Sequence, residues 1–189
     1  MDSNYNKMNT YLDALEEYKL EDENGKSRLI YAYFGLAIYF SQVLEETFSI
    51  MLWTDKIFKK KVKTNSEVNE IIDVIENSKK TMGVFINEVK QSYCLTEKIA
   101  TDLKTILEKR NYIVHKYFKI EIQKSFSDIG RKEMLKYFGD FIDQTKSIDS
   151  ELNNYYSIYT DKLGLTNQKI EEIMAEMKKE ELSRVNKYS

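Results

Sequence analysis

The sequence predicts an all-α fold, and three features of the chain support this prediction. No proline and only six glycines occur among the 189 residues. These two residue types interrupt helices most often, so long helices are permitted throughout. Hydrophobic residues make up 42% of the chain and charged residues 32%, a balance typical of a folded globular domain. Apolar residues recur at helical spacing, which predicts an antiparallel bundle of about five main helices.

The bundle is expected to occupy the middle of the chain. Residues 1–26 are polar and predict one short helix at about 8–20. Residues 27–163 carry the apolar periodicity of the bundle, and residues 164–189 predict a C-terminal helix. A single domain is the expected organisation, because 189 residues can bury a sizeable core.

Capping residues predict where the helices begin and end. Ser27 follows an acidic turn and is expected to cap a long helix that reaches about Phe58. The next helices are expected from about 65 to 93, from the cap Thr96 to about 122, from a turn at 125–130 to about 163, and from the cap Thr166 to about 185.

The helix predicted to end near Leu163 carries an apolar seam with alternating spacings of four and three residues. Such a seam packs along another long helix, either within the bundle or across a dimer. Its members are Met134, Phe138, Phe141, Thr145, Ile148, Leu152, Tyr155 and Tyr159.

Charge is almost balanced, since 29 lysines and arginines face 31 aspartates and glutamates. This balance argues against a protein that coats nucleic acid without specificity, so any RNA contact must be local.

Lysines cluster in two places. The first cluster is interpreted as a solvated helix end, with steering of a phosphate backbone as the alternative, whereas the second surrounds the only histidine. The first consists of Lys56, Lys59, Lys60, Lys61 and Lys63, and the second of Lys104, Lys109, Lys116 and Lys119.

The single cysteine, Cys94, and the single histidine, His115, exclude an internal disulfide and a Cys/His zinc site within one chain. Neither a metal nor a cofactor is expected. The sequence has no glycine-rich phosphate loop, paired catalytic carboxylates or nucleophile elbow, so other enzyme classes have little support. The polar N-terminus does not resemble a signal peptide. The most apolar run, residues 29–40, is shorter than the roughly 20 residues of a membrane helix. A cytoplasmic protein without membrane contact is therefore expected.

The most informative segment is residues 110–117, Arg-Asn-Tyr-Ile-Val-His-Lys-Tyr, in which Arg110 lies five positions before His115. Histidine titrates near neutral pH and can transfer a proton, while arginine stays cationic and can donate two hydrogen bonds to a phosphate. A metal-independent ribonuclease needs these two side chains. The segment therefore predicts a site for phosphodiester cleavage.

This Arg-x4-His pattern, with Asn111 and Tyr117 beside it, resembles the signature of the HEPN domain (higher eukaryotes and prokaryotes nucleotide-binding). It resembles especially the toxin of the minimal nucleotidyltransferase/HEPN toxin–antitoxin pair. The resemblance implies a HEPN-like helical bundle that forms a homodimer, in which two motifs face one cleft and cut RNA without metal. It also implies that Arg110 and His115 are catalytic, that Asn111 supports them, and that a nucleotidyltransferase-type antitoxin modifies Tyr117. This chain is longer than the small toxin by a segment after Gly164.

Helix geometry sets a condition on this function. Arg110 is the only charge on an apolar stripe, whereas Asn111 and His115 share a neighbouring polar stripe. On a straight helix Arg110 and His115 point about 140° apart, too far to hold one phosphate together. Either two copies contribute the histidine and the arginine to one cleft, or Arg110 bends toward the polar side. The apolar stripe consists of Ile99, Leu103, Ile106, Arg110, Ile113 and Tyr117.

Each supporting residue also has a purely structural interpretation. Glu45 and Glu46 are candidate partners for Arg110, although an exposed helix face is the favoured interpretation of both. Asn111 either orients His115 and the phosphate or is an ordinary surface amide. Tyr117 is expected to pack in the core with its hydroxyl accessible at the rim, and modification of that hydroxyl is the alternative role.

The expected reaction yields a 2′,3′-cyclic phosphate. His115 would act as general base or acid on the ribose 2′-hydroxyl, while Arg110 would stabilise the charge on phosphorus. A toxin or defence effector is the expected role. Two other classes remain open: a catalytically inactive HEPN-like module that binds a nucleotide or a protein partner, and a scaffold dimer that binds no nucleic acid.

Overall fold

The structure, a computed structural model, describes residues 9–186, with the side chains of residues 9–184. The prediction of an all-α protein is confirmed for this range, which contains helices and no strand. The elements are α1 (Thr10–Leu20), α2 (Glu23–Lys60), α3 (Asn65–Glu76), α4 (Met82–Tyr93), α5 (Glu97–His115), α6 (Tyr117–Glu121), a 3₁₀ helix (Ile122–Phe126), α7 (Asp128–Lys162) and α8 (Asn167–Asn186). Met8, where the first helix was predicted to begin, lies outside the described residues.

The long helix α2 begins earlier than the sequence predicts. Asp22, rather than Ser27, is its N-cap, and the Asp22 carboxylate accepts a hydrogen bond from the backbone N–H of Gly25 at 2.7 Å. Aspartate caps a helix as well as serine does. The acidic stretch predicted to be a turn is therefore the first turn of α2.

The helix predicted over residues 65–93 is two helices, α3 and α4. Asn77 ends α3, where its backbone N–H and its side-chain amide both donate to the Asp73 carbonyl. Residues 77–81 are all polar, so a continuous helix would bury nothing along this stretch. Apolar periodicity continues on both sides of the break, which is why the sequence pattern alone predicts one helix.

The motif helix α5 begins as predicted but ends early. The Thr96 hydroxyl accepts a hydrogen bond from the Ile99 backbone N–H at 3.3 Å, which confirms the predicted cap. The helix stops at His115 instead of continuing to about residue 122. The break places Tyr117 and Phe118 at the start of α6, where the rings of both lie against Phe138.

The predicted antiparallel arrangement is only partly correct. Consecutive long helices reverse direction, but α2 and α7 run parallel, because the chain reverses four times between them. Contacts between α2 and α7 advance in the same direction along both helices. They join Phe34 to Phe138, Thr47 to Asp149, and Phe58 to Tyr159.

The apolar seam of α7 packs within the chain, against α2. Its residues from Met134 to Leu152 are buried, while Tyr155 and Tyr159 are half-buried. Phe48 of α2 and Leu103 of α5 complete the centre of the core and have no exposed surface. Full burial of a leucine or phenylalanine side chain stabilises a fold by ~1.5–3 kcal/mol. The core therefore holds α2, α5 and α7 in fixed register around the motif.

The C-terminal helix α8 extends away from this core. It begins at its predicted cap, where the Thr166 hydroxyl accepts the Lys169 backbone N–H at 3.3 Å. All side chains from residue 167 to 184 are exposed. Within residues 9–186, no helix is both long enough and apolar enough to cross a membrane.

Candidate functional site

The candidate site lies at the C-terminal end of α5, where the apolar stripe meets the polar stripe. The stripe is confirmed by burial, because Ile106, Ile113 and Tyr117 are each no more than 2% exposed. Arg110 interrupts it with a side chain that is 26% exposed. A guanidinium is therefore held against an apolar helix face with its end at the surface.

The contacts of Arg110 leave much of its hydrogen-bonding capacity unused. Its Nη1 donates to the Asn111 Oδ1 at 3.3 Å, and its Nη2 lies 4.0 Å from Glu45 Oε2. Its Nε is buried and has no hydrogen-bond partner among the described residues. Arginine has five N–H donors, and a buried donor without a partner is unfavourable. Because the side chain is 26% exposed, N–H groups at its surface end can donate to a further anionic partner, whereas the buried Nε is not open to one.

Asn111 connects Arg110 to the polar side of α5. The Arg110–Asn111 hydrogen bond shows that the guanidinium bends toward this side, one of the two arrangements expected from helix geometry. Asn111 and His115 are both exposed and stand one turn apart. The three side chains therefore follow one another along the surface of α5, with a hydrogen bond between the first two.

His115 is the last residue of α5 and is exposed. It makes no hydrogen bond or ion pair with any described residue. Both ring nitrogens are open to an incoming ligand, which a general acid or base requires. The histidine thus lies beside the arginine row without a structural role of its own.

Of the two glutamates that could pair with Arg110, the structure selects Glu45. Its side chain is 31% exposed and faces the guanidinium across the α2–α5 contact. Glu46 is the more exposed of the two and makes no ion pair with a described residue. Partial desolvation together with the nearby Glu76 raises the pKa of Glu46. Glu45, Glu46 and Glu76 also line a polar cavity of about 290 Å³. Among the described residues, no cluster of three or more histidine, cysteine or acidic side chains is arranged to hold a metal ion.

Tyr117 is a packing residue, as expected. Its ring lies against Tyr137 and Phe138, with centroids 5.1 and 4.7 Å apart, and the residue is 2% exposed. Burial raises the pKa of its phenol well above the usual range. The expected accessibility at the rim is not found in the single chain, because a modifying enzyme would meet an almost fully buried side chain.

Lysines lie near Arg110, Asn111 and His115, and most of them have no ion-pair partner among the described residues. Lys104, Lys116 and Lys119 are exposed and make no ion pair with the described residues, whereas Lys109 donates to the Gln144 side chain at 2.7 Å. These charges give the end of α5 a local positive field in a chain of formal net charge −2.

One feature near the motif was missed by sequence reasoning. Exposed apolar side chains lie directly before His115 and in the segment that follows it, where α6 and the 3₁₀ helix turn away from α5. Phe126 is 79% exposed. The apolar residues of this segment were visible in the sequence, but their spacing alone does not show which of them stay exposed. The exposed residues are Val114, Ile120, Ile122 and Phe126.

Searches against protein-family models, curated proteins and solved structures found no match to this chain.

Proposed function

We propose that this protein is a metal-independent endoribonuclease of HEPN type. The observation that carries the proposal is the row of Arg110, Asn111 and His115 on α5. The Nε of Arg110 has no hydrogen-bond partner among the described residues. The imidazole of His115 makes no hydrogen bond or ion pair with a described residue. A phosphodiester supplies what both groups lack, because its oxygens accept from the guanidinium and its neighbouring ribose hydroxyl exchanges a proton with the imidazole.

In the proposed reaction, His115 removes the proton of the ribose 2′-hydroxyl, and the 2′-oxygen attacks the adjacent phosphorus. The bond from phosphorus to the 5′-oxygen breaks, and a protonated imidazole supplies the proton that the leaving oxygen takes up. Arg110 donates hydrogen bonds to the non-bridging oxygens, where negative charge accumulates. The products are a 2′,3′-cyclic phosphate and a free 5′-hydroxyl.

The site is proposed to be completed by a second copy of the chain. Arg110 bends toward Asn111, but it starts from a helix position about 140° from His115. The exposed apolar residues Val114, Ile120, Ile122 and Phe126 flank the motif, and burial of such side chains favours association. A two-fold axis beside α6 would bring two motifs to one cleft.

The resemblance to the toxin of the nucleotidyltransferase/HEPN pair extends the proposal to a biological role. The protein would act in the cytoplasm as a toxin or defence effector, restrained by a nucleotidyltransferase-type antitoxin. Because Tyr117 is 2% exposed, its modification would require opening of the α6 segment. Added phosphate at that position would then prevent α6 from packing back.

Cleavage of RNA in the presence of a chelator tests the activity. Wild type is expected to cut, and Arg110→Ala and His115→Ala are each expected to lower the rate by about 10²–10⁴-fold. Arg28→Ala is the matched control, because Arg28 is exposed on α2 and makes no hydrogen bond or ion pair with the described residues. Cutting that persists in either motif variant would reject the site. No cutting by wild type would favour a catalytically inactive module.

Mixing the two inactive variants tests the shared cleft. If each site takes its histidine from one copy and its arginine from the other, an Arg110→Ala/His115→Ala heterodimer contains one intact site. Random pairing of equal amounts would then restore about a quarter of the wild-type rate. No recovery, with heterodimers shown to form, would place both groups of a site in the same copy.

A further inference from the structure

Lysines converge where α2 ends, far from the motif. Lys60, Lys61 and Lys63 are exposed and line a surface cleft of about 670 Å³ together with the first turn of α3. Neither these three nor the half-buried Lys56 makes an ion pair with a described residue, whereas Lys59 pairs with Asp55 at 2.9 Å. Cations in the last turn of a helix compensate its dipole. That role covers Lys59 and Lys60 but not Lys61 and Lys63, which follow the helix.

Two carboxylates lie in the same cleft, and one of them is already engaged. Glu67 accepts hydrogen bonds from the backbone N–H groups of Lys63 and Thr64 and from the Thr64 hydroxyl. Glu70 is the carboxylate that opposes the lysines. The cleft therefore keeps excess positive charge, and its lysine side chains are free to move toward a ligand.

Two aromatic rings lie near the ends of α2 and α7, outside the lining of this cleft. The rings of Phe58 and Tyr159 are 5.1 Å apart, and both residues are half-buried at the edge of the core. Lys162 Nζ lies 5.8 Å from the centre of the Tyr159 ring. Phe58 precedes Lys60 by two residues, so the ring pair and the lysines share one end of the molecule.

Free cations at the same end of the molecule as partly open aromatic rings fit single-stranded nucleic acid. The lysines meet the backbone phosphates, and the rings offer apolar faces to unstacked bases. A duplex would present phosphates but keep its bases stacked, and an acidic peptide would not require the rings. We propose that this distal surface, formed by Lys56, Lys60, Lys61, Lys63, Lys162, Phe58 and Tyr159, binds single-stranded RNA that extends beyond the catalytic cleft.

This inference rests on the proposed function for its choice of RNA as the ligand. The geometry also sets how long an RNA must be to reach both the motif and the distal surface. Glu45, which faces Arg110, precedes Lys60 by fifteen residues on α2, or about 22 Å along the helix. At about 3.4 Å per nucleotide in a stacked strand, the two surfaces are roughly six or seven nucleotides apart. An unstacked strand spans the distance with fewer nucleotides, but a dinucleotide is too short to reach both.

Binding is measured with the uncleaving His115→Ala protein and a labelled 20-nucleotide single strand. The double variant Lys60→Glu/Lys61→Glu, placed in that background, is expected to weaken binding at least tenfold. The slope of log K against log salt should fall by about 0.7 for each phosphate that the variant no longer neutralises. Lys178→Glu/Lys179→Glu is the matched control, because it makes the same charge change on exposed lysines of α8, and it is expected to change affinity less than twofold. Equal weakening in both double variants would overturn the distal surface.

Cleavage of RNAs of different length separates this inference from the proposed function. With the motif intact, Lys60→Glu/Lys61→Glu should lower kcat/KM about tenfold for a 20-nucleotide RNA and leave a dinucleotide substrate unaffected. An equal effect at both lengths would overturn the distal surface while the ribonuclease stands. Absent cleavage with lysine-dependent binding of the single strand would reject the ribonuclease and retain the surface. Binding of duplex RNA as tightly as single-stranded RNA would overturn the distal surface. Binding of phosphatidylserine vesicles in preference to RNA would overturn it as well.

Discussion

Arg131 and Arg110 are both arginines held against helix faces, and their surroundings differ in one respect. Arg131 is 8% exposed, and each of its nitrogens has an acceptor. Its Nε donates to the Tyr18 hydroxyl at 2.8 Å, its Nη1 to the Ser125 carbonyl at 3.0 Å, and its Nη2 to Glu23 at 2.8 Å. This guanidinium ties α1, α2, the 3₁₀ helix and α7 together through one hydrogen bond from each of its nitrogens.

Arg110 is more exposed, yet it is the less satisfied of the two. It has one hydrogen bond of 3.3 Å and one ion pair of 4.0 Å, and its buried Nε has no partner among the described residues. The difference teaches that burial alone does not show how well an arginine is satisfied. Each nitrogen of Arg131 has an acceptor inside the fold, whereas the Nε of Arg110 has none among the described residues, which is why Arg110 is the one proposed to bind a ligand.

The largest difference between the two arginines should be in stability. Arg131→Met is expected to lower the free energy of unfolding by about 2–3 kcal/mol, because the Tyr18 hydroxyl and the Ser125 carbonyl lose their donor at a partly buried site. Arg110→Met is expected to change it by less than about 1 kcal/mol, since methionine suits the apolar stripe and few hydrogen bonds are removed. Urea unfolding at pH 7 measures both. Equal destabilisation by the two substitutions would remove the distinction.

A smaller effect should follow from the glutamate that faces Arg110. Glu45→Gln keeps the side-chain shape and removes the charge, so the guanidinium loses its ion pair across the α2–α5 contact. We expect kcat for RNA cleavage to fall about tenfold through loss of orientation, while KM does not rise, because no carboxylate then competes with the phosphate. Steady-state kinetics separate the two constants. Glu46→Gln is the control and should change neither, and a rise in KM alone would contradict a positioning role for Glu45.

The smallest expected effect is a change in stability with pH. Lys26 donates to Glu23, and together with Arg131 it holds the pKa of the Glu23 carboxyl below its ordinary value of 4.5. The unfolded chain therefore takes up a proton first as the pH falls, so this stabilisation is present at neutral pH and is lost as the pH falls from 4.5 through the lowered pKa of Glu23. The difference in urea midpoint between wild type and Arg131→Met should be smaller at pH 3 than at pH 7. The same comparison for Arg110→Met should show no change with pH, and parallel behaviour of the two would break the contrast.

Local signals predicted much of the fold. The caps Thr96 and Thr166 were predicted from single residues, because a hydroxyl that accepts a backbone N–H works in the same way in any helix. The breaks at 77–81 and after His115 were not predicted. At both breaks the apolar period continues across a change of direction, and periodicity does not report direction.

The candidate site was predicted in its residues but not in its arrangement. Arg110 on the apolar stripe and Asn111 beside His115 follow from helical spacing alone. The bend of Arg110 toward Asn111 and the choice of Glu45 over Glu46 depend on where α2 crosses α5. Exposure of the apolar residues around α6 likewise depends on the turn after His115.

The amino-acid sequence by itself determined that this chain is helical, which faces of its helices are apolar, and that one arginine and one histidine lie on neighbouring stripes of one helix. Backbone hydrogen bonds and side-chain spacing act within a few residues, so these properties need no knowledge of the rest of the molecule. Only the tertiary structure decided that α2 and α7 run parallel, that Arg131 is satisfied and that Arg110 has no partner for its Nε among the described residues. An apolar face must be covered by some neighbour, but its sequence does not name that neighbour, and the partners available to each guanidinium depend on which helices meet there.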